Sequence, residues 1–201
     1  MPAVILYGPP AAGKDTITDA LTTMNQSYQL FRRMKVGAGR TDGYRMTTLS
    51  GVERLRSMGG MIWETHRYDA LYIIDRMTLV EMLTTCIPVI HLGEAEAVRA
   101  VTRSVETQWV TAWLWCPRGI AAKRISARGT GDTAARMHVW DETGALPEAH
   151  IVINTAEIRP AGAAATIHHR VQAKLRRRNG TTNPLKLTSS QVTGSTMLSN
   201  G

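Results

Sequence analysis

The segment that most constrains the fold is Gly8-Pro9-Pro10-Ala11-Ala12-Gly13-Lys14-Asp15-Thr16, which lies between the apolar run Val4 to Tyr7 and a helical pattern from Asp15 to Met24. A glycine-bounded loop between a buried strand and a helix can turn successive backbone N–H groups toward one point. Gly8 and Gly13 permit backbone angles closed to other residues. The helix that follows adds the partial positive charge of its N-terminus. Lys14 supplies a mobile ammonium able to follow charge between the β- and γ-phosphates of a nucleoside triphosphate. Gly8 to Thr16 is therefore the candidate phosphate-binding loop, and Lys14 the candidate catalytic cation. The usual pattern carries Ser or Thr directly after the lysine to hold magnesium; here Asp15 takes that position and Thr16 comes next, so both are candidate metal-side residues.

Short strand-like runs alternate with helical stretches along the rest of the chain. Leu30 to Val36 and Tyr44 to Thr47 read as short strands that pair across a turn-rich Gly37 to Gly43 connection. Ser50, with Glu53 three residues on, has the spacing of a capping box, for a helix ending near Gly59-Gly60. Met77 to Thr85, Ala95 to Ser104, Arg118 to Arg128 and Ala161 to Arg178 read as helices; Pro88 to Leu92, Trp109 to Cys116 and Ile151 to Ile153 read as strands. Such alternation predicts an α/β fold, a parallel sheet covered by helices on both faces. Residues 1–178 form one expected domain, and 179–201, rich in Ser, Thr, Asn and Gly, an expected disordered tail.

The net charge of +8 is unevenly placed: all 16 acidic residues lie at or before Glu157, and seven of the 24 basic residues lie after it. The globular part is nearly neutral, so the charge argues against a nucleic-acid-binding domain. No apolar run is long enough to span a bilayer, and with no basic stretch ahead of the apolar Val4 to Tyr7 no secretory signal is expected. Cys86 and Cys116 sit in or beside apolar runs, which fits free thiols in a reducing cytoplasm. A cytoplasmic monomer or homodimer without membrane partners is the expectation.

From Ala3 to Thr155 the chain resembles guanylate kinases and their relatives. Gly39-Arg40-Thr41-Asp42-Gly43-Tyr44-Arg45-Met46-Thr47-Thr48 looks like the family's basic strand pair ending in an acceptor-binding tyrosine. Gly59-Gly60-Met61-Ile62-Trp63-Glu64 resembles the segment whose glutamate reads a guanine edge, and Tyr72 falls near a family tyrosine pair. The stretch from Ala121 to Arg136, through Arg124, Arg128, Gly129 and Thr130, is similar to its arginine-bearing lid. Adenylate kinases likewise carry a small residue after the lysine and then a threonine.

The resemblance implies a P-loop NTPase fold with an acceptor-binding insertion at about 30–75 and a lid at about 124–145. It implies a kinase using ATP and Mg2+ on a small phosphorylated acceptor, a nucleoside monophosphate first. Arg33, Arg40, Tyr44, Arg45, Glu64 and Tyr72 are then the acceptor-binding candidates, with one of Arg32 and Arg33 serving the phosphate. Arg124 and Arg128, a helical turn apart, and Arg136 are the lid cations that join Lys14 in catalysis. The departures are specific. His91 and Gly93 stand where an acidic pair is usual, and Ile73 replaces a tyrosine. His91, alone in an apolar run, reads as a hydrogen-bonded core residue, while Asp15 or Glu94 takes over the ordering of magnesium water. The relatives that phosphorylate ribose bisphosphate share a Gly-Lys-Asp loop, which leaves a sugar-phosphate acceptor open. A guanylate kinase-like binding module that has lost catalysis is the other alternative; such modules commonly lose the lysine that Lys14 retains.

Overall fold

The computed structural model describes residues 1–129 and 131–180; Thr130 and the expected tail from residue 181 onward lie outside the described residues. The chain opens with β1 (Ala3–Tyr7), α1 (Lys14–Met24), β2 (Tyr28–Leu30), β3 (Met34–Gly37) and β4 (Arg45–Met46). It continues through α2 (Leu49–Ser57), β5 (Met61–Arg67), β6 (Ala70–Asp75), α3 (Arg76–Thr85), β7 (Ile87–Leu92) and α4 (Ala95–Ser104). Then come β8 (Trp109–Trp115), α5 (Arg118–Ser126), α6 (Thr133–Glu142), β9 (Ile151–Asn154) and α7 (Pro160–Gly180). The last helix takes in the first two residues of the expected tail.

The main sheet is fully parallel, in the order β2-β7-β1-β8-β9. Its central strand explains the unbroken apolar run at the N-terminus, because both faces are covered. Val4 and Leu6 enter a core with Ile17 and Leu21 of α1 and Ala163, Ile167 and Val171 of α7. Ala3, Ile5 and Tyr7 alternate into a second core with Leu79 of α3 and Ala97, Val98 and Val101 of α4. The phosphate loop leaves the C-terminal end of β1, at the crevice where successive strands diverge to either side. A Cβ on Gly8 would stand 2.2 Å from the Leu114 carbonyl oxygen of β8, so only glycine fits where the loop passes that strand.

A second, four-stranded sheet, β4-β3-β6-β5, lies within the stretch expected as an acceptor-binding insertion. The expected pairing across the Gly37 to Gly43 turn is present, as parallel bridges Met34↔Arg45 and Lys35↔Met46. The run Leu30 to Val36 divides, however: Leu30 belongs to the main sheet and Met34 to the second, with Phe31 buried at the break. The hairpin β5–β6 is the element that sequence pattern did not announce. Its turn is Tyr68-Asp69, both at positive φ (52° and 54°), where the usual hairpin signal would be Asn-Gly or Asp-Gly. The cap of α2 is Thr48, which accepts from the Gly51 N–H, rather than Ser50. Helix α6 buries no residue, so it lacks the apolar periodicity that would have marked it. Among the described residues no helix is long and apolar enough to cross a membrane, and Cys86 and Cys116 are buried free thiols.

Candidate active site

The first intrahelical bond of α1 runs from the Ile17 N–H to the Gly13 carbonyl at 3.0 Å, and no side chain caps the helix. The amides of Lys14, Asp15 and Thr16 therefore face out of the helix end, as the first turn of any helix leaves them. Gly13 at φ 88° turns the chain into that helix. The Lys14 ammonium folds over the loop and donates to the carbonyls of Gly8 (2.6 Å) and Pro9 (2.9 Å). Burial, aided by the nearby Arg33, Arg128 and Arg67, pushes Lys14 down to about 7, against the pull of Asp15. A cation so crowded by other cations is poised to be restored to full charge by an anion.

Two of the expected lid arginines lie at the loop itself. Arg124 on α5 donates from Nη1 to the Ala11 carbonyl (3.1 Å) and Thr155 Oγ1 (3.0 Å), and from Nη2 to the Thr155 carbonyl (2.8 Å). It ties the phosphate loop to the end of β9. Arg128 does not share a helix face with it, because α5 stops at Ser126; it lies in the following turn, close enough to act on Lys14.

Asp15 is held from two directions. Its Oδ1 lies 3.3 Å from His91 Nδ1, and its Oδ2 3.4 Å from Arg40 Nη1. The hydrogen bond to His91 holds the Asp15 carboxyl well below the usual carboxylate range, against the opposing effect of burial. His91 stands beside Leu6 in the sheet, and its Nε2 meets Thr18 Oγ1 at 2.7 Å. The histidine is hydrogen-bonded, as the apolar run implied, but its partner is the carboxylate next to Lys14. Thr16 is exposed on the first turn of α1.

On the second sheet the rings of Tyr44 and Tyr72 lie 5.3 Å apart, inclined at 53°. The Arg33 guanidinium sits over both, 5.8 and 5.0 Å from the centroids, whereas Arg32 is exposed. Beneath them the fully buried Lys35 donates to the carbonyls of Ala38 (2.5 Å) and Arg40 (2.8 Å). Arg136 reaches from α6 to the ring of Tyr68 (5.0 Å) and donates to Asp132 at 2.7 Å. Burial raises Tyr68 and Tyr72, so both phenols stay protonated donors. Arg33, Tyr44 and Tyr72 thus come together, with Arg136 at their margin.

Three acceptor candidates are placed differently. Arg45 pairs with Asp75, donates to Thr78 Oγ1 and the Arg32 carbonyl (both 2.8 Å), and so brackets β4 to the start of α3, where it lines a cleft with Asp15, Arg40 and His91. Arg40 is exposed and engaged with Asp15 and Asp42. Glu64 pairs with Ile73 in the hairpin, whereas Thr65 pairs with Tyr72 and Trp63 with Ile74. Strand alternation therefore turns Glu64 away from the Tyr72 face, and it accepts from Arg56 of α2 at 3.0 and 2.8 Å.

The residues on the Tyr72 face were missed because their strand was missed. Trp63 Nε1 donates to Glu94 at 3.0 Å, Thr65 Oγ1 at 2.8 Å and Arg67 Nε at 2.9 Å. Glu94, at the start of α4, thus binds the hairpin to the main sheet. Counting alternate residues back from Tyr72 through a two-residue turn would have found this set.

No family model matches the chain, and no curated protein matches its sequence. Solved structures do resemble it. A guanylate kinase from Anaplasma phagocytophilum superposes with a TM-score of 0.59 at 13% identity, covering 92% of this chain and 96% of that one. A gluconokinase from Sinorhizobium meliloti 1021 gives 0.51 at 16% identity, covering 88% and 96%. At these identities the likeness concerns architecture: the chain shares the fold of these two proteins, an α/β sheet with helices on both faces.

Proposed function

We propose that the chain is an ATP- and magnesium-dependent phosphotransferase acting on a small phosphorylated acceptor. The observation that carries this reading is the convergence of two phosphate-binding sets borne on different sheets. Lys14 and the open amides of α1 come from the main sheet; Arg33, Tyr44 and Tyr72 come from the second. Arg33 lies close enough to Lys14 to depress it. Phosphoryl transfer needs two anions held in line and their charge neutralised, and little else from the protein.

In this reading the triphosphate lies along the loop from Gly8 to Thr16, with its oxygens accepting from the amides of Lys14, Asp15 and Thr16. The Lys14 ammonium leaves the Gly8 and Pro9 carbonyls and follows the transferring group. Arg128 adds charge from the lid side, while Arg124 keeps the loop in place. Arg33 and the phenols of Tyr44 and Tyr72 hold the acceptor's phosphate, with Arg67 and Arg136 beside it. Among the described residues no three His, Cys, Asp or Glu side chains converge. Magnesium here would be held chiefly by phosphate oxygens and water, as is usual for that ion, with Asp15 and Thr16 nearest. The ion would supply charge neutralisation across the β- and γ-oxygens.

A nucleoside monophosphate is one acceptor class, and a sugar phosphate is the second. The second is favoured by one feature: Glu64, the residue that the resemblance gives to a guanine edge, faces α2 and is held by Arg56. An ADP-release assay across nucleoside monophosphates and phosphorylated sugars tests the proposal. Acceptor-dependent release with at least one phosphorylated compound supports it. Release by none, with ATP still bound, would leave a binding module.

A further inference from the structure

At the opposite end of the main sheet from the phosphate loop lies a cleft of about 600 Å³, lined among others by Gln108, Thr111, Glu148, His150, Lys174 and Arg177. It opens at the first residue of β8, a strand of seven residues, so it lies roughly 20 Å from the loop. Its hydrogen bonds do not close. The Thr111 amide donates to His150 Nδ1 at 3.1 Å, so the neutral ring carries its proton on Nε2. That Nε2 faces Lys174 Nζ at 2.9 Å, while Nζ also donates to the Trp109 carbonyl. An N–H and an ammonium thus meet donor to donor. Burial, then Lys174 and Arg170, lowers His150, and burial with Arg170 lowers Lys174. Glu148, the carboxylate in the cleft, is already paired with Arg99 at 2.9 Å. The Gln108 side-chain oxygen is buried and has no hydrogen-bond partner among the described residues.

We infer that this cleft is a second binding site, for a small oxyanion that also carries a hydroxyl donor, of which hydrogen phosphate is the simplest and a hydroxylated phosphate ester a larger form. An anionic oxygen accepting from both His150 Nε2–H and Lys174 Nζ removes the donor-to-donor conflict. The ligand's hydroxyl satisfies Gln108. Neither contact draws on the phosphate loop or the acceptor cleft, so the site is independent of the proposed phosphotransfer.

Inorganic phosphate tests this on the full chain, with the ring ¹⁵N–¹H signals of His150, identified by His150→Gln, as the local probe. At constant ionic strength, phosphate is expected to shift those signals saturably in the native chain and equally in Lys14→Ala. Lys174→Gln retains a donor for the Trp109 carbonyl and is expected to weaken the response about tenfold, the size of one charge-assisted hydrogen bond. Gln108→Leu, a second and independent variant, is expected to weaken phosphate more than sulfate, which offers no hydroxyl. A shift that chloride reproduces, that never saturates, or that survives unchanged in both variants overturns the inference.

Discussion

In the proposed reading the phosphate loop and the second sheet both meet phosphate, yet they would reach that end by different routes. At the loop the polar groups are local in sequence. Gly8, Gly13 and Lys14 lie within seven residues, and backbone geometry does most of the positioning. On the second sheet the groups come from β3, β5 and β6, the residues just before β3 and β4, and the start of α4, and side chains position one another. Arg33 lies on two tyrosines, Lys35 lies beneath them, and Glu94 gathers Trp63, Thr65 and Arg67. A backbone site depends on few residue identities, whereas a side-chain site fails or changes its ligand when one member is replaced. That difference explains how a chain can keep a recognisable phosphate loop while the proposed acceptor side departs from the resemblance.

Variants should divide along this line. Replacing Lys14 with Ala removes the one cation that tracks the transferring charge; turnover is expected to fall on the order of 10²–10³-fold with an unchanged melting temperature. Steady-state kinetics beside a thermal melt checks both. Replacing Glu94 with Ala leaves the Trp63, Thr65 and Arg67 donors unpaired, at about 1–3 kcal/mol for each that stays buried. The acceptor's KM should then rise more than tenfold while ATP binding, measured by calorimetry, hardly changes. An equal loss in both would mean that the two regions are one cooperative unit.

The pH dependence of ATP binding probes the loop alone. Lys14 titrates near 7 when free, and bound phosphate raises it, so binding favours the protonated form. Below about 7 the affinity should be level in this respect. Above it the affinity should fall by up to tenfold per pH unit, until the raised value of the complex is passed. Calorimetry at pH 8 in buffers of different ionisation heat should register proton uptake, and Lys14→Met should abolish it. The smallest effect belongs to Glu64. Its partner Arg56 is partly exposed, so Glu64→Gln loses a surface ion pair and should change acceptor kinetics by less than about threefold.

The same division governs what the sequence disclosed. The strand–loop–helix from Val4 to Met24 was legible because its glycines, lysine and apolar run are contiguous, and the alternation of elements gave the parallel sheet. The hairpin was not legible, because Tyr68-Asp69 adopts positive φ without a glycine and β5 is shifted in register between Met61 and Trp63. Glu64 was named from the resemblance, and no local signal shows that it pairs with Ile73 and accepts from Arg56 of α2. Arg45 was named for its charge and position, and nothing local announces that Asp75, thirty residues on, would claim it. Helix α6 was hidden for the opposite reason, having no buried face to pattern it.

The central claim is that a conventional donor loop serves an acceptor cleft not built around guanine. Specificity constants measured side by side for GMP, dGMP, the pyrimidine monophosphates and ribose bisphosphate test it most directly. Guanine's N1 and amino hydrogens, buried without acceptors, would lose about 1–3 kcal/mol each, so GMP is predicted to be a poor acceptor and to be outpaced by another member of the panel. GMP leading that panel at roughly 10⁵ M⁻¹s⁻¹ or more, the range of an efficient enzyme, would contradict the account and mark the chain as an ordinary guanylate kinase.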